Sequence, residues 1–227
     1  LVLFSASEKS TRISALNIQS LISNAAIILM VFYSIIIHEV SHAFAAFALG
    51  DDSAQRAGRL SFNPKKHIDP FGTVILPLIL YFSAGFIYGY AKPVPFNPYN
   101  FRNLKRDSGL TALAGPASNI LIAIVLSVIF HLMGSMPVLQ HVLWYVIFLN
   151  LLLAFFNLIP VPPLDGSKVL GIFLTDEAYF KWTAQERKGM IYLFAFIIIS
   201  NLLGLNLISK IVLPPVTFVM RLLGLPL

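Results

Sequence analysis

IIIHEVSHAFAAFAL, residues 35–49, sets two imidazoles and a carboxylate inside an otherwise apolar run. Within it, His38-Glu39-Val40-Ser41-His42 has the pattern H-E-x-x-H. On a helix, positions i and i+4 share a face, so His38 and His42 can both present a ring nitrogen to one metal ion. Glu39 lies one residue on from the first histidine. It can reach a metal-bound water without itself being a ligand, which suits a general base. Glu39 is the only charged residue between about Ala25 and Leu49. An ionisable residue at membrane depth is costly and points to a functional site. A chance match would leave three titratable groups desolvated with no metal to stabilise them, at several kcal/mol each.

Composition agrees with a membrane setting. Hydrophobic residues make up 57% of the 227-residue chain and charged residues 11%, against about 25% charged in ordinary soluble domains. The mean hydropathy is +0.80. Several apolar runs are long enough to cross a bilayer. The reading is an all-α polytopic membrane protein with one membrane domain and no room for a sizeable soluble one. The formal charge of +6 is divided among short connections. That fits positive-inside loops and excludes nucleic acid as a partner. The chain has no cysteine, so a metal must be held by nitrogen and oxygen. The first residue is Leu, which leaves the true start open, and LVLFSASEKSTR lacks the ordered regions of a signal peptide.

The chain divides into an N-terminal interfacial segment (1–24), a catalytic membrane core (25–175) and C-terminal membrane helices (176–227). A first helix is expected over about 24–50, ended at Gly50-Asp51-Asp52. Arg59-Leu60-Ser61-Phe62-Asn63 alternates, and Asn63-Pro64 signals a turn, so a short strand is expected there. His67 reads as a solvated interfacial residue and Asp69 as a turn former. Residues 71–91 are apolar but interrupted by Pro77 and Ser83-Ala84-Gly85. Basic residues flank them on both sides (Arg56, Arg59, Lys65, Lys66; Lys92, Arg102, Lys105, Arg106). A re-entrant hairpin keeps both clusters inside, whereas a spanning helix puts one outside.

Further helices are expected over about 108–134, 138–159 and 189–208, with a shorter one over 212–223. About five crossings result. Small residues at Ala114-Gly115-Pro116-Ala117-Ser118 let another backbone approach. Asn119 serves either as an interhelical hydrogen-bond former or as an active-site donor. Pro160, Pro162 and Pro163 make the backbone before Asp165 irregular, which at membrane depth survives only where it is buried or lines a wet cavity. Asp165 is then either a third metal ligand or the cap of the helix that follows.

These motifs together resemble the site-2 proteases, which are intramembrane zinc metalloproteases. The resemblance rests on His38-Glu39-x-x-His42, Ala114-Gly115-Pro116-x-x-Asn119 and Asn157-x-x-Pro160-x-Pro162-x-x-Asp165-Gly166, in the family's order. Gly50-Asp51, Arg59-Leu60-Ser61-Phe62-Asn63-Pro64, His67-Ile68-Asp69-Pro70-Phe71-Gly72-Thr73 and Ala91-Lys92-Pro93-Val94-Pro95 are similar to the compact prokaryotic subgroup without PDZ or CBS domains. The resemblance covers about residues 25–175. It implies that His38, His42 and Asp165 hold Zn2+ and that Glu39 is the base. It places Asn119 and Asn157 near the substrate carbonyl or its oxyanion. It also implies antiparallel first and second core helices, hence an even number of crossings between Gly50 and Ser108.

The implied activity is hydrolysis of peptide bonds within or near transmembrane segments of protein or peptide substrates, in a multi-pass protein of the cell (inner) membrane. The active site is expected to be reached from the cytosolic side. Leu60, Ser61 and Phe62 could hold an unwound substrate segment by strand addition. Two other classes of protein share parts of this pattern. A metal-binding transporter needs polar residues leading to the outer face, and AAIILMVFYSIII, residues 25–37, offers almost none. An inactive membrane scaffold has no need of Glu39. Oligomeric state and the particular substrate are not readable from the chain.

Overall fold

A computed structural model of the protein describes residues 6–75, 78, 79, 82, 92, 94–134 and 136–227. Among these residues it is all-helical, with no strand. The long helices are α1 (Ala6–Ala48), α2 (Leu104–Leu132) and α3 (Pro137–Asn157). They are followed by α4 (Asp165–Gly171), α5 (Asp176–Thr183), α6 (Glu186–Leu202) and α7 (Leu207–Leu222). Three stretches are long and apolar enough to cross a membrane: Ile18–Ala48 of α1, all of α2 and all of α3. Their outward faces expose Leu21, Ile28, Leu121, Val125, Val128 and Leu132. Such a belt of exposed aliphatic side chains suits lipid and not water. The protein is a multi-pass membrane protein.

Helix ends follow from local chemistry. Asn103 caps α2, its side chain accepting from the Arg106 N–H at 3.1 Å, while Asp107 Oδ2 accepts from the Asn103 N–H at 2.9 Å. This reciprocal pairing satisfies donors that a helix start leaves open. Gly134, at φ +57°, ends α2 in the left-handed region where a glycine is favoured. Pro137 opens α3 in the first turn, where its missing N–H has no cost.

α1, α2 and α3 pack on one another, α4 lies against α2, and α7 closes the far side of α3. The largest buried cluster joins Ala123 of α2, Ile147 and Leu151 of α3, and Val212, Val216 and Met220 of α7. The amino end of α2 is tied to the segment after α4. Lys105 Nζ donates to the Leu174 carbonyl at 2.9 Å and pairs with Asp176 at 2.6 Å.

Several expectations from sequence are corrected in detail. The first helix starts far earlier than residue 24 and runs unbroken from Ala6. The last helix begins at Leu207 and not near residue 212, so Pro214 and Pro215 lie inside α7. Residues 59–63 form no strand. The Ser61 N–H turns back to the Arg59 carbonyl at 2.9 Å, and among the described residues no strand offers the alternate hydrogen bonds that would hold the segment extended. The segment is pinned by loop contacts instead. The Arg59 guanidinium donates to the Lys92 carbonyl, and His67 Nε2 donates to the Ser61 carbonyl at 2.6 Å. His67 is fully buried by these contacts, not solvated. Asp69 accepts from the Gly72 N–H at 2.7 Å, as a turn former does. A π-type turn covers Pro70–Ile75. Most of the re-entrant hairpin expected over 71–91 lies outside the described residues.

Asp51 anchors this loop region to the end of α1. Its carboxylate is fully buried and accepts from Ser53 Oγ (2.6 Å), the Ser53 N–H (3.1 Å), the Asn97 N–H (2.7 Å) and Asn100 Nδ2 (2.7 Å). Burial alone would raise its pKa. The donated hydrogen bonds outweigh burial and hold it below the usual carboxylate value. A carboxyl whose folded pKa is depressed contributes stability that is fully present above its unfolded pKa, near ~3.9, and is lost as pH falls through the lower folded value. Hydrogen exchange should therefore find the Asn97 and Ser53 amides protected from neutral pH down to about 4 and deprotected only below that. Asp51→Ala should deprotect both at neutral pH and destabilise the loop by about 1–3 kcal/mol, because buried donors lose their acceptor.

Candidate metal centre

α1 brings His38 and His42 to one face, roughly 9–15 Å from its carboxyl end by helix rise. The face they meet is the first part of α2. Gly115 is what permits the approach: a Cβ there would collide with both imidazole rings. The small residues of Ala114–Ser118 thus admit two side chains, where the sequence suggested a backbone.

Asp165 arrives from the other side. α3 ends at Asn157, and Pro160, Pro162 and Pro163 prevent its continuation. The chain turns through short bonds such as Leu164 N–H to the Val161 carbonyl at 2.9 Å, then enters α4. Two glycines let this turn fold tightly. Gly166 lies on the Leu158 carbonyl, and Gly189 of α6 backs against Pro162, with no space for a Cβ at either. Leu164 occupies the cap position of α4, and Asp165 is already helical. Its carboxylate is therefore not spent on capping. Oδ2 lies 3.2 Å from His38 Nε2 and 3.3 Å from His42 Nε2, and the two Nε2 atoms are 3.0 Å apart.

The hydrogen bonds behind the rings decide what these three atoms are. His42 Nδ1 lies 2.7 Å from the Thr111 carbonyl, which can only accept, so Nδ1 carries the proton. His38 Nδ1 lies 2.6 Å from Asn119 Oδ1 and carries its proton likewise. In their neutral form both rings turn an unprotonated Nε2 inward. Asp165 Oδ2 is buried and has no hydrogen-bond donor. Three lone pairs then converge. A cation satisfies such a cluster, and the three residues could hold a metal ion. Tetrahedral zinc with bonds of about 2.0–2.1 Å needs donors roughly 3.3 Å apart, close to the spacing found.

The cluster lies at the base of a cavity of about 360 Å³, lined also by Glu39, Phe96, Asn157 and Lys168. Asn157 donates to the Leu153 carbonyl at 2.9 Å through one amide N–H and is half-buried on the cavity wall. Lys168 Nζ sits 4.6 Å from the centre of the Phe96 ring. Asn119 does not line the cavity. It is fully buried, with its oxygen on His38 and its nitrogen on Asn150 Oδ1 at 2.9 Å. The substrate donor expected from sequence is thus, in this geometry, the partner of a histidine. Leu60, Ser61 and Phe62 are likewise outside the cavity lining, with Phe62 exposed. Asn150, Ser34 and Lys168 were not singled out from sequence. The first two are isolated polar residues in apolar runs, the signal that could have found them.

The fold is that of a multi-pass membrane protein with a buried group of residues that could hold a metal ion, and comparison with known proteins identifies the class. The family model of peptidase family M50 matches residues 133–203. A Bacillus subtilis protein named "Putative zinc metalloprotease YwhC" is 36% identical over 174 residues, covering 73% of this chain and 76% of that one. Rip2 of Mycobacterium tuberculosis, described by the same words, is 28% identical over 175 residues, 75% of this chain and 66% of its own. No solved structure matches. The chain belongs to peptidase family M50, the site-2 proteases, and is an intramembrane zinc metalloprotease acting on protein substrates. The transporter and scaffold alternatives are not favoured.

Because Gly115 faces both rings, Gly115→Ala should strip zinc from the purified protein. Metal analysis should find well under half the wild-type zinc content, with helicity by circular dichroism unchanged.

Proposed function

We propose that His38, His42 and Asp165 are the zinc ligands and that Glu39 is the general base. The observation that carries this is the convergence of three donor atoms within 3.0–3.3 Å, beside Glu39 on the same cavity. Zinc, when bound, supplies Lewis acidity that polarises the scissile carbonyl and favours deprotonation of water near neutral pH. Glu39 takes the proton from the attacking water and delivers it to the leaving amine nitrogen. Asn157 donates to the developing oxyanion, a reading supported by its place on the cavity wall. Asn119 acts behind His38.

The cavity opens among the carboxyl ends of α1 and α3 and the amino end of α2, the ends nearest Arg56, Arg59, Lys65, Lys66, Arg102, Lys105 and Arg106. Basic connections mark the cytosolic side, which supports a site reached by water and substrate from the cytosol of an inner-membrane protein. α6 and α7 complete about five crossings. The 59–63 segment gains strand character only when a locally unwound substrate pairs with it. Its exposed Phe62 and short backbone turn are compatible with that, since one more strand supplies the missing hydrogen bonds.

Purified wild type should cleave a single-pass model substrate in liposomes. Glu39→Gln should lower the rate by at least ~100-fold while keeping about one zinc per chain, because removing a positioned base costs roughly that much. Zinc retained with full activity would remove Glu39 from the mechanism. His38→Ala, His42→Ala and Asp165→Ala should each lose zinc. In the same assay, Leu60→Pro or Phe62→Pro should slow cleavage with zinc content unchanged. Unaltered turnover excludes the strand-addition step.

A further inference from the structure

His38 is held from behind by a buried chain of polar groups that crosses all three long helices. Asn150 of α3 is 1% exposed and Ser34 of α1 is 3% exposed, both in apolar surroundings. Ser34 stands one turn before His38 on the same face of α1. The bonds run in one direction. Ser34 Oγ donates to the Met30 carbonyl at 3.0 Å. Its lone pair accepts from Asn150 Nδ2, also at 3.0 Å, and the same nitrogen donates to the Val146 carbonyl at 2.8 Å. A backbone carbonyl can only accept, so the Asn150 amide has one orientation, with Oδ1 turned to α2. That oxygen accepts from Asn119 Nδ2 at 2.9 Å, which orients the second amide in turn. Asn119 Oδ1 then faces His38 Nδ1 at 2.6 Å.

We propose that Asn150 is a positioning residue of the metal centre. Through Asn119 it fixes His38 as the Nδ1–H tautomer with the Nε2 lone pair facing the zinc. The proposal rests on the reading of His38 as a ligand. Two backbone carbonyls, Met30 and Val146, set the direction of the whole chain. Neither amide can flip without bringing two donors or two acceptors face to face in a buried site. Interhelical hydrogen bonding alone would require only that the groups be paired. It would not require this direction.

Direction and pairing are separable by experiment. Asn150→Leu removes the acceptor that orients Asn119 and fills similar volume. In the full-length purified protein its zinc affinity, read by chelator competition, should fall by about 10–100-fold, the usual effect of losing an outer-shell partner. Cobalt substituted for zinc should show an altered visible absorption band. Asn119→Asp/Asn150→Leu is the decisive variant. A carboxylate at 119 accepts from His38 Nδ1–H whichever oxygen faces it, so residue 150 is no longer needed. This double variant should recover zinc affinity to within a few-fold of wild type and restore the cobalt band, even if its melting temperature stays low. Unchanged affinity in Asn150→Leu overturns the proposal. Reduced affinity that the double variant does not recover shows that Asn150 acts through packing, which also overturns it. His38→Ala separates the two readings. If it keeps its zinc, the ligand assignment fails. If it loses zinc while Asn150→Leu does not, only the positioning role fails.

Discussion

Two imidazole nitrogens and a carboxylate oxygen lie 3.0–3.3 Å apart in an apolar interior, a donor set that a cation would satisfy. The neighbouring features serve that convergence. Gly115 has no side chain because two rings occupy the space one would fill. The proline-rich turn after α3 exists to deliver a carboxylate from a helix start, and Gly166 and Gly189 allow it to fold tightly. Ser34, Asn119 and Asn150, which would be liabilities in a membrane helix, each find a partner.

The three long helices contribute unlike parts. α1 carries both histidines and Glu39. α2 provides the clearance at Gly115, the Thr111 carbonyl behind His42 and the Asn119 amide behind His38. α3 supplies Asn157 to the cavity and Asn150 to the buried chain. The apolar packing of α2 and α3 against α7 takes in Phe156 and Ile159, which flank Asn157 on the cavity. Irregular backbone at membrane depth is tolerated where it lines a cavity.

The loop between α1 and α2 shows how such a site is approached. It is held by side-chain-to-backbone bonds at Asp51, Arg59 and His67 and not by a sheet ladder. A segment fixed at a few points keeps its intervening backbone groups available. That arrangement is suited to a protease whose substrates must lose their own helical hydrogen bonds before a carbonyl can react.

The sequence alone determined the membrane setting and singled out His38 and His42 as a candidate metal pair and Glu39 as a candidate base. Helical period and apolar run length are local properties, and a lone Glu39 between two histidines in such a run has few other uses. It also pointed to Asp165, though chemistry alone left capping as an alternative until the motifs were compared with a family. The tertiary structure decided the rest. Asp165 is inside α4 with Leu164 at the cap, which frees its carboxylate. Asn119 turns to a histidine and not to the cavity, because Asn150 on another helix orients it. Residues 59–63, which alternate like a strand, form none, and the described residues contain no strand. Alternation and motif spacing describe one segment at a time. Amide direction, strand pairing and clearance at a glycine depend on which distant atoms arrive opposite, and only the packed helices supply that.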